Sequence, residues 1–298
     1  MNTSKTDLVV KNKYGYLEIA EKPTPKELEK YYAETYFQTS QGAYEAIYSK
    51  DELQFFDNSN HLKSEVIADF FKTDRKSKRK LLDVGCGEGF SMNYFFKQGW
   101  EVTGIDYSFD GVQKQNPAME SFVLQGDIYM RIEELIEKGE QYDVILILNV
   151  LEHVIDPVLV LKQLRKLVST GGLLIILVPN DFSALQENLL ADQKISKKFW
   201  VKTPDHLNYF SKESLIALCE DHQFKFHKCL SDFPIDYFLA NPDSNYIEDG
   251  KKGKNCHQAR MWLDNLHCSI SIQKTIELYE AFANLGSGRQ LTAYFTKP

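Results

Sequence analysis

The sequence predicts a doubly wound α/β protein, and three observations carry that prediction. Short apolar runs alternate with amphipathic stretches between residues 80 and 180, and a glycine-rich turn follows the first run. The 298 residues, 43% hydrophobic and 26% charged, are enough for a sizeable core. Strands are expected at 81–84, 101–105, 122–125, 142–148 and 173–178, with helices at 90–97, 129–137 and 158–168. Strands separated by helices pair in parallel through right-handed crossovers.

Each element has a local cause. The helix at 158–168 is the clearest: Asp156 is a good N-cap, Pro157 suits the first position, and Val158, Leu161, Leu164 and Val168 share a face. Lys162, Arg165 and Lys166 lie in its C-terminal half, and Gly171-Gly172 is expected to stop it. Upstream, Pro23 and Pro25 precede a helical pattern at 26–33 in a Tyr- and Phe-rich region. The basic run 73–80 reads as a solvated approach to the first strand, with an anion-binding patch as the alternative. Beyond 180 the alternation loosens. An irregular insertion (181–210) precedes a helix from Ser211, a strand at 224–230, a loop at 232–253, helices at 258–266 and 270–285, and a last strand at 290–296.

Composition excludes several classes. With 35 Lys and Arg against 42 Asp and Glu, the net charge of −7 argues against a general nucleic-acid binder. No apolar stretch reaches the roughly 18 residues of a membrane helix, and the first residues lack the apolar region of a secretory signal. Five scattered cysteines suit reduced thiols, so a cytoplasmic location is expected. Cys256, His257, His267 and Cys268 are zinc-like residue types at a spacing that matches no usual structural zinc pattern.

The chemistry centres on LLDVGCGEGF, a strand, a Gly-x-Gly-x-Gly turn (Gly85, Gly87, Gly89) and a helix start. Glycines allow a sharp turn and close ligand approach, and the helix start favours an anionic group. Cys86 within the turn reads as a small tolerated residue rather than a nucleophile. Asp106, 17 residues beyond Gly89, ends the second strand, where an acid accepts both hydroxyls of a ribose. Asp127 follows the third strand, near the edge of an adenine placed there. The dinucleotide fingerprint is Gly-x-Gly-x-x-Gly, but here Phe90 stands at its third glycine, which disfavours a nicotinamide-dependent oxidoreductase.

This turn, with YDVILILNVLEHVIDPVLVLKQLRKLVSTGGLLIILVPN (142–180), resembles the class I S-adenosylmethionine (SAM)-dependent methyltransferases, in particular the ubiquinone-biosynthesis branch. PDHLNYFSKESL (204–215) and LGSGRQLTAYF (285–295) are similar to segments of bacterial sugar and surface-polysaccharide methyltransferases. The resemblance implies a Rossmann-like, seven-stranded, mostly parallel sheet with a helical N-terminal lid and a C-terminal helical insertion. Its division would be an aromatic-rich lid and substrate segment (1–72), a SAM-binding core (73–231) and a C-terminal segment (232–298). That last segment would serve substrate binding or a homodimer and end in a core strand.

The resemblance also implies the cofactor set. Gly85 and Gly87 would contact the methionine part of SAM, Asp83 would lie under its amino group, and Asp106 would bind the ribose with Tyr107 beside it. Asp127 and Ile128 would face the adenine, and Asn149 the methyl end. Tyr36, in the aromatic cluster 31–37, would approach the sulfonium, with plain core packing as its alternative.

For a hydroxyl acceptor a base is needed. His153 and His206 compete for that role; the alternatives are a structural hydrogen bond and a loop-stabilising imidazole. Asp205 would orient His206. Glu152 and His153, two adjacent ligands, do not by themselves make a metal site, so none is expected. Arg260 and Arg289 are candidate clamps for a substrate phosphate or carboxylate, or else salt-bridge residues. The expected reaction yields S-adenosylhomocysteine (SAH) and methylates a small molecule, first a sugar hydroxyl of a nucleotide sugar or glycan precursor. A quinone-like phenol, or a non-catalytic SAM-fold subunit, are the alternatives.

Overall fold

The computed structural model describes residues 8–24, 27, 47–72 and 78–298. The expected helix at 26–33, apart from Glu27, lies outside them, as do Tyr36 with its aromatic cluster and residues 73–77 of the basic run.

The described chain begins with a hairpin, β1 (Val9–Lys11) and β2 (Leu17–Ile19), and a long helix, α1 (Lys50–Phe70). The alternating core follows: β3 (Lys80–Val84), α2 (Phe90–Lys97), β4 (Glu101–Asp106), α3 (Asp110–Gln115), β5 (Val123–Gln125), α4 (Ile128–Glu137), β6 (Tyr142–Leu148), α5 (Pro157–Leu167) and β7 (Val168–Pro179). Past it come α6 (Ala184–Ala191), β8 (Asn208–Tyr209), α7 (Lys212–Asp221), β9 (Lys225–Ser231), α8 (Gly253–Ile270), α9 (Ile272–Leu285) and β10 (Gln290–Thr296).

The main sheet has seven strands in the order β5-β4-β3-β6-β7-β10-β9. Its five neighbouring core strands pair in parallel, and β10 is antiparallel to both β7 and β9. Order reverses between β3 and β6, and in open α/β sheets ligands bind beyond the strand ends at such a switch point. Strand periodicity divides the core into two layers. Leu82, Ile145, Ile147, Leu174 and Ile176 face α4, α5 and α7, while Leu81, Val144, Leu146, Leu173 and Ile175 face α1, α2 and α9. Central strands are covered on both faces, so their sequences are continuously apolar rather than alternating.

Two expectations change. Helix α5 ends at Leu167, before the glycine pair, which belongs to the irregular start of β7. There β7 pairs with β6 at Val168 and again from Leu173, with Gly171 at φ +75° between the two. The insertion at 181–210 is only partly irregular: it carries α6, and β8 pairs with β2 in a second, three-stranded sheet. Among the described residues no helix is long and apolar enough to cross a membrane.

Candidate active site

The glycine turn leads from the tip of β3 into α2 and packs on the tip of β4, where Gly85 N and Cys86 N donate to Ile105 O. Gly85 has φ +72°, and a Cβ there would fall 2.3 Å from Val150 Cγ2, so both backbone conformation and space require glycine. Gly87 N donates to Asp106 Oδ2 at 2.8 Å and Ser108 N to Asp106 Oδ1 at 3.1 Å. Burial raises the Asp106 carboxyl above its ordinary range, and these N–H groups work against that rise.

Beneath the turn lies a pair that sequence reasoning missed in half. Asp83 is buried, its Oδ1 has no hydrogen-bond partner, and burial pushes its carboxyl up to about 7 against the pull of Lys63. Lys63 on α1 is buried too; burial pushes its ammonium down to about 8, with Asp83 acting the other way. Its Nζ donates to Ser59 Oγ at 2.8 Å and Ser59 O at 3.1 Å. The signal was present: Leu62, Val66 and Ile67 define the inner face of a helix, and Lys63 falls on it.

The remaining expected cofactor residues cluster around these strand tips. Tyr107, exposed, follows Asp106, and Asp127, also exposed, caps α4 by accepting from Met130 N at 3.1 Å, with Ile128 half-buried beside it. Asn149 stands at the tip of β6 with φ +55°, and its Oδ1 accepts from Gln290 Nε2 at 3.0 Å. Gln290, at the head of β10, was not anticipated.

The two histidines do meet. Leu207 N and Asn208 N donate to Glu152 O at 2.8 and 3.0 Å, and Asn208 Nδ2 donates to Val154 O at 2.7 Å, stitching the 205–209 segment onto the turn after β6. The His153 and His206 rings thereby lie 5.0 Å apart, edge to face. His153 Nδ1 sits 2.7 Å from Asp205 O and 3.3 Å from Asp205 Oδ1, and its Nε2 is 3.7 Å from Glu152 Oε1. Burial opposes its protonation, yet Glu152 and Asp205 together raise His153 to about 9. His206, 6% exposed, has Nδ1 3.5 Å from Asp181 Oδ2 and Nε2 3.8 Å from Asp205 Oδ2. Asp205 therefore faces both imidazoles. Glu152, His153 and His206 each offer one donor atom, all within 4.8 Å of one another, so among the described residues these three can hold a metal ion; adjacency in sequence pairs only the first two.

Neither arginine presents itself as an anion clamp. Arg289 Nη1 donates to Asp181 Oδ1 at 2.6 Å, and the buried Asp181 and Asp236 carboxylates raise its guanidinium further against the effect of burial. Arg260 Nη1 donates to Asp232 Oδ2 at 3.2 Å, and its guanidinium lies 4.7 Å from the Phe55 ring centroid. Both charges are matched by carboxylates of the chain itself, the salt-bridge alternative, in the interior rather than on the surface.

Fold and strand-tip geometry define a class I, Rossmann-like methyltransferase architecture. A family profile described as a methyltransferase domain matches residues 56–228, and the chain belongs to that family. The ubiquinone biosynthesis O-methyltransferase of Vibrio vulnificus (strain YJ016) is 31% identical over 198 residues, covering 61% of this chain and 80% of that protein. The protein of the same name from Citrobacter koseri is 38% identical over 96 residues, 32% of this chain and only 40% of its own length. Among solved structures, the plantazolicin methyltransferase BpumL in complex with a monoazolic desmethylPZN analog and SAH shares the fold with a TM-score of 0.51. It is 19% identical, over 91% of this chain and 96% of that one.

Proposed function

We propose that this protein transfers a methyl group from SAM to a hydroxyl of a small-molecule acceptor, of the phenolic kind suggested by the names of its ubiquinone-pathway relatives. The observation that carries the reading is the pre-set Gly85–Gly87–Asp106 arrangement at the topological switch point. The sugar acceptor gains no support from the relatives, so the phenol takes precedence.

The residues present fit the cofactor. Asp83 Oδ1 is a buried polar atom lacking a partner, and the glycine turn is a cradle that a Cβ would fill. Lys63 and Asp83 offer one positive and one negative group, complementary to the carboxylate and ammonium of the methionine part. Asp106 accepts the ribose hydroxyls, with Tyr107 beside it, and Asp127 and Ile128 flank the adenine. Asn149 faces the methyl end. SAM, when bound, supplies a methyl group already activated by a sulfonium.

The protein's task is alignment, exclusion of water and removal of the acceptor's proton. His206 takes that proton. His153, held cationic near neutral pH by Glu152 and Asp205, positions Asp205 and does not accept. Asp181 and Asp205 stabilise the imidazolium that His206 becomes.

Melting in the presence of SAH or NADH, on wild type and Asp106→Ala, tests the cofactor. At about 100 times its dissociation constant a ligand adds about 2.7 kcal/mol, a rise of roughly 5–10 °C. A rise with SAH alone, lost in Asp106→Ala, supports the reading; a rise only with NADH sinks it. Incorporation of labelled methyl into catechol then separates an enzyme from a SAM-binding subunit, and loss of that incorporation in His206→Ala with SAH binding intact identifies the base.

A further inference from the structure

Residues far apart in sequence, some inside the family segment and some past its end, enclose a cavity of about 60 Å³ between α1, α8, α9 and β10. Lys63, Asp232, Asp264, Tyr279, Gln290 and Tyr294 contribute its polar lining. Most of these groups are already engaged. Asp232 Oδ1 accepts from Arg289 N and Gln290 N at 3.0 and 2.7 Å, and its Oδ2 accepts from Arg260. Asp264 Oδ1 accepts from the Tyr279 hydroxyl.

Two polar atoms are not. Tyr294 Oη, on a residue with no exposure at all, and Asp264 Oδ2, on a residue 4% exposed, have no hydrogen-bond partner. The nearest cation to Asp264 Oδ2, Arg260 Nε, is 3.9 Å away, beyond hydrogen-bond reach. Buried polar atoms left without partners cost stability, and a native fold keeps them where something else completes them.

We propose that this cavity is a subsite for paired hydroxyl groups of the methyl acceptor, read by Tyr294 and Asp264; it rests on the hydroxyl-acceptor reading above. The volume admits about two water-sized groups, at roughly 30 Å³ each. A carboxylate oxygen needs a donor, and a phenol hydroxyl takes either role, so two neighbouring hydroxyls satisfy both. An anionic group would meet the Asp232 and Asp264 carboxylates, and an ammonium would meet Lys63. A neutral hydroxyl pair meets neither objection. The cavity also points at the reaction: Gln290 lines it and bonds Asn149 at the tip of β6, and Lys63 lines it beside Asp83 under the glycine turn.

The test is ligand-observed NMR titration of catechol against phenol, and of methyl α-glucopyranoside against cyclohexanol, with and without SAH. Wild type, Tyr294→Phe and Asp264→Asn are compared. At least one hydroxyl-pair probe is expected to bind wild type about tenfold more tightly than its single-hydroxyl counterpart, and which one does so tells an aromatic acceptor from a sugar. Tyr294→Phe is expected to erase that margin while its melting temperature equals or exceeds that of wild type, because it removes only an unpartnered hydroxyl. Asp264→Asn reads the second atom independently. No margin in wild type, a margin that survives both substitutions, or equal binding of ethanolamine overturns the subsite. Failure of SAH to shift the melting temperature would overturn the cofactor reading instead, and the titrations without SAH would still decide the subsite.

Discussion

The two ends of the site are built from different materials. At the glycine turn, a carboxylate is held by the main chain: Asp106 accepts from Gly87 N and Ser108 N, all within one βαβ unit. At the β10 side, buried charges are held by side chains from distant segments, as with Arg289 on Asp181 and Arg260 on Asp232. Backbone groups arrive in place with the fold, so the first end is pre-organised without reference to side-chain identity beyond glycine and one acid. The second end depends on each partner.

Removing one partner should therefore do most harm at the side-chain end. Arg289→Met is expected to cost about 3–5 kcal/mol, because it strands Asp181 in the interior. Denaturant unfolding measures it, and Asp181→Asn in the same background should recover part of the loss. Asp106→Ala, at the backbone end, is expected to weaken SAH binding by about 100-fold with a smaller stability change, read by calorimetry. A stability loss as large as that of Arg289→Met would break the contrast.

Gly85→Ala sharpens it from within the turn. The added Cβ meets Val150 and the backbone is left-handed, so a cost of about 2 kcal/mol is expected, a fall in melting temperature of several degrees. Adding Val150→Ala should relieve the clash but not the backbone strain.

A pH-dependent effect concerns Asp83. Its folded carboxyl titrates near 7 against about 3.9 when unfolded, so between those values the folded state binds more protons. Stability from this group is thus lost as pH rises through that window, by at most about 1.4 kcal/mol per pH unit. Asp83→Asn is expected to gain on wild type from pH 5 to 7 in thermal melts. A gap that shrinks instead would remove the buried pair from the account.

The same contrast explains what the sequence could reveal. Asp106 lies 17 residues after Gly89 within one βαβ unit, and strand periodicity places it without knowledge of anything remote. The α5 cap, Asp156 with Pro157, was likewise local, and its Oδ1 does accept from Leu159 N. Tyr294 and Asp264 carry no local signal, because their meeting depends on how α8 and α9 pack over β10. His206 lay between these cases: its residue type drew attention, but only the bonds from Leu207 and Asn208 to Glu152 O bring it to His153.

Strand β10 enters the sheet between β7 and β9, although it follows both in the chain. During synthesis β9 has no partner until β10 arrives, so the far edge of β7 stays open while the glycine-turn half is already complete. An intermediate with its glycine turn formed and a bare, apolar strand edge of the kind chaperones recognise is therefore expected in vivo.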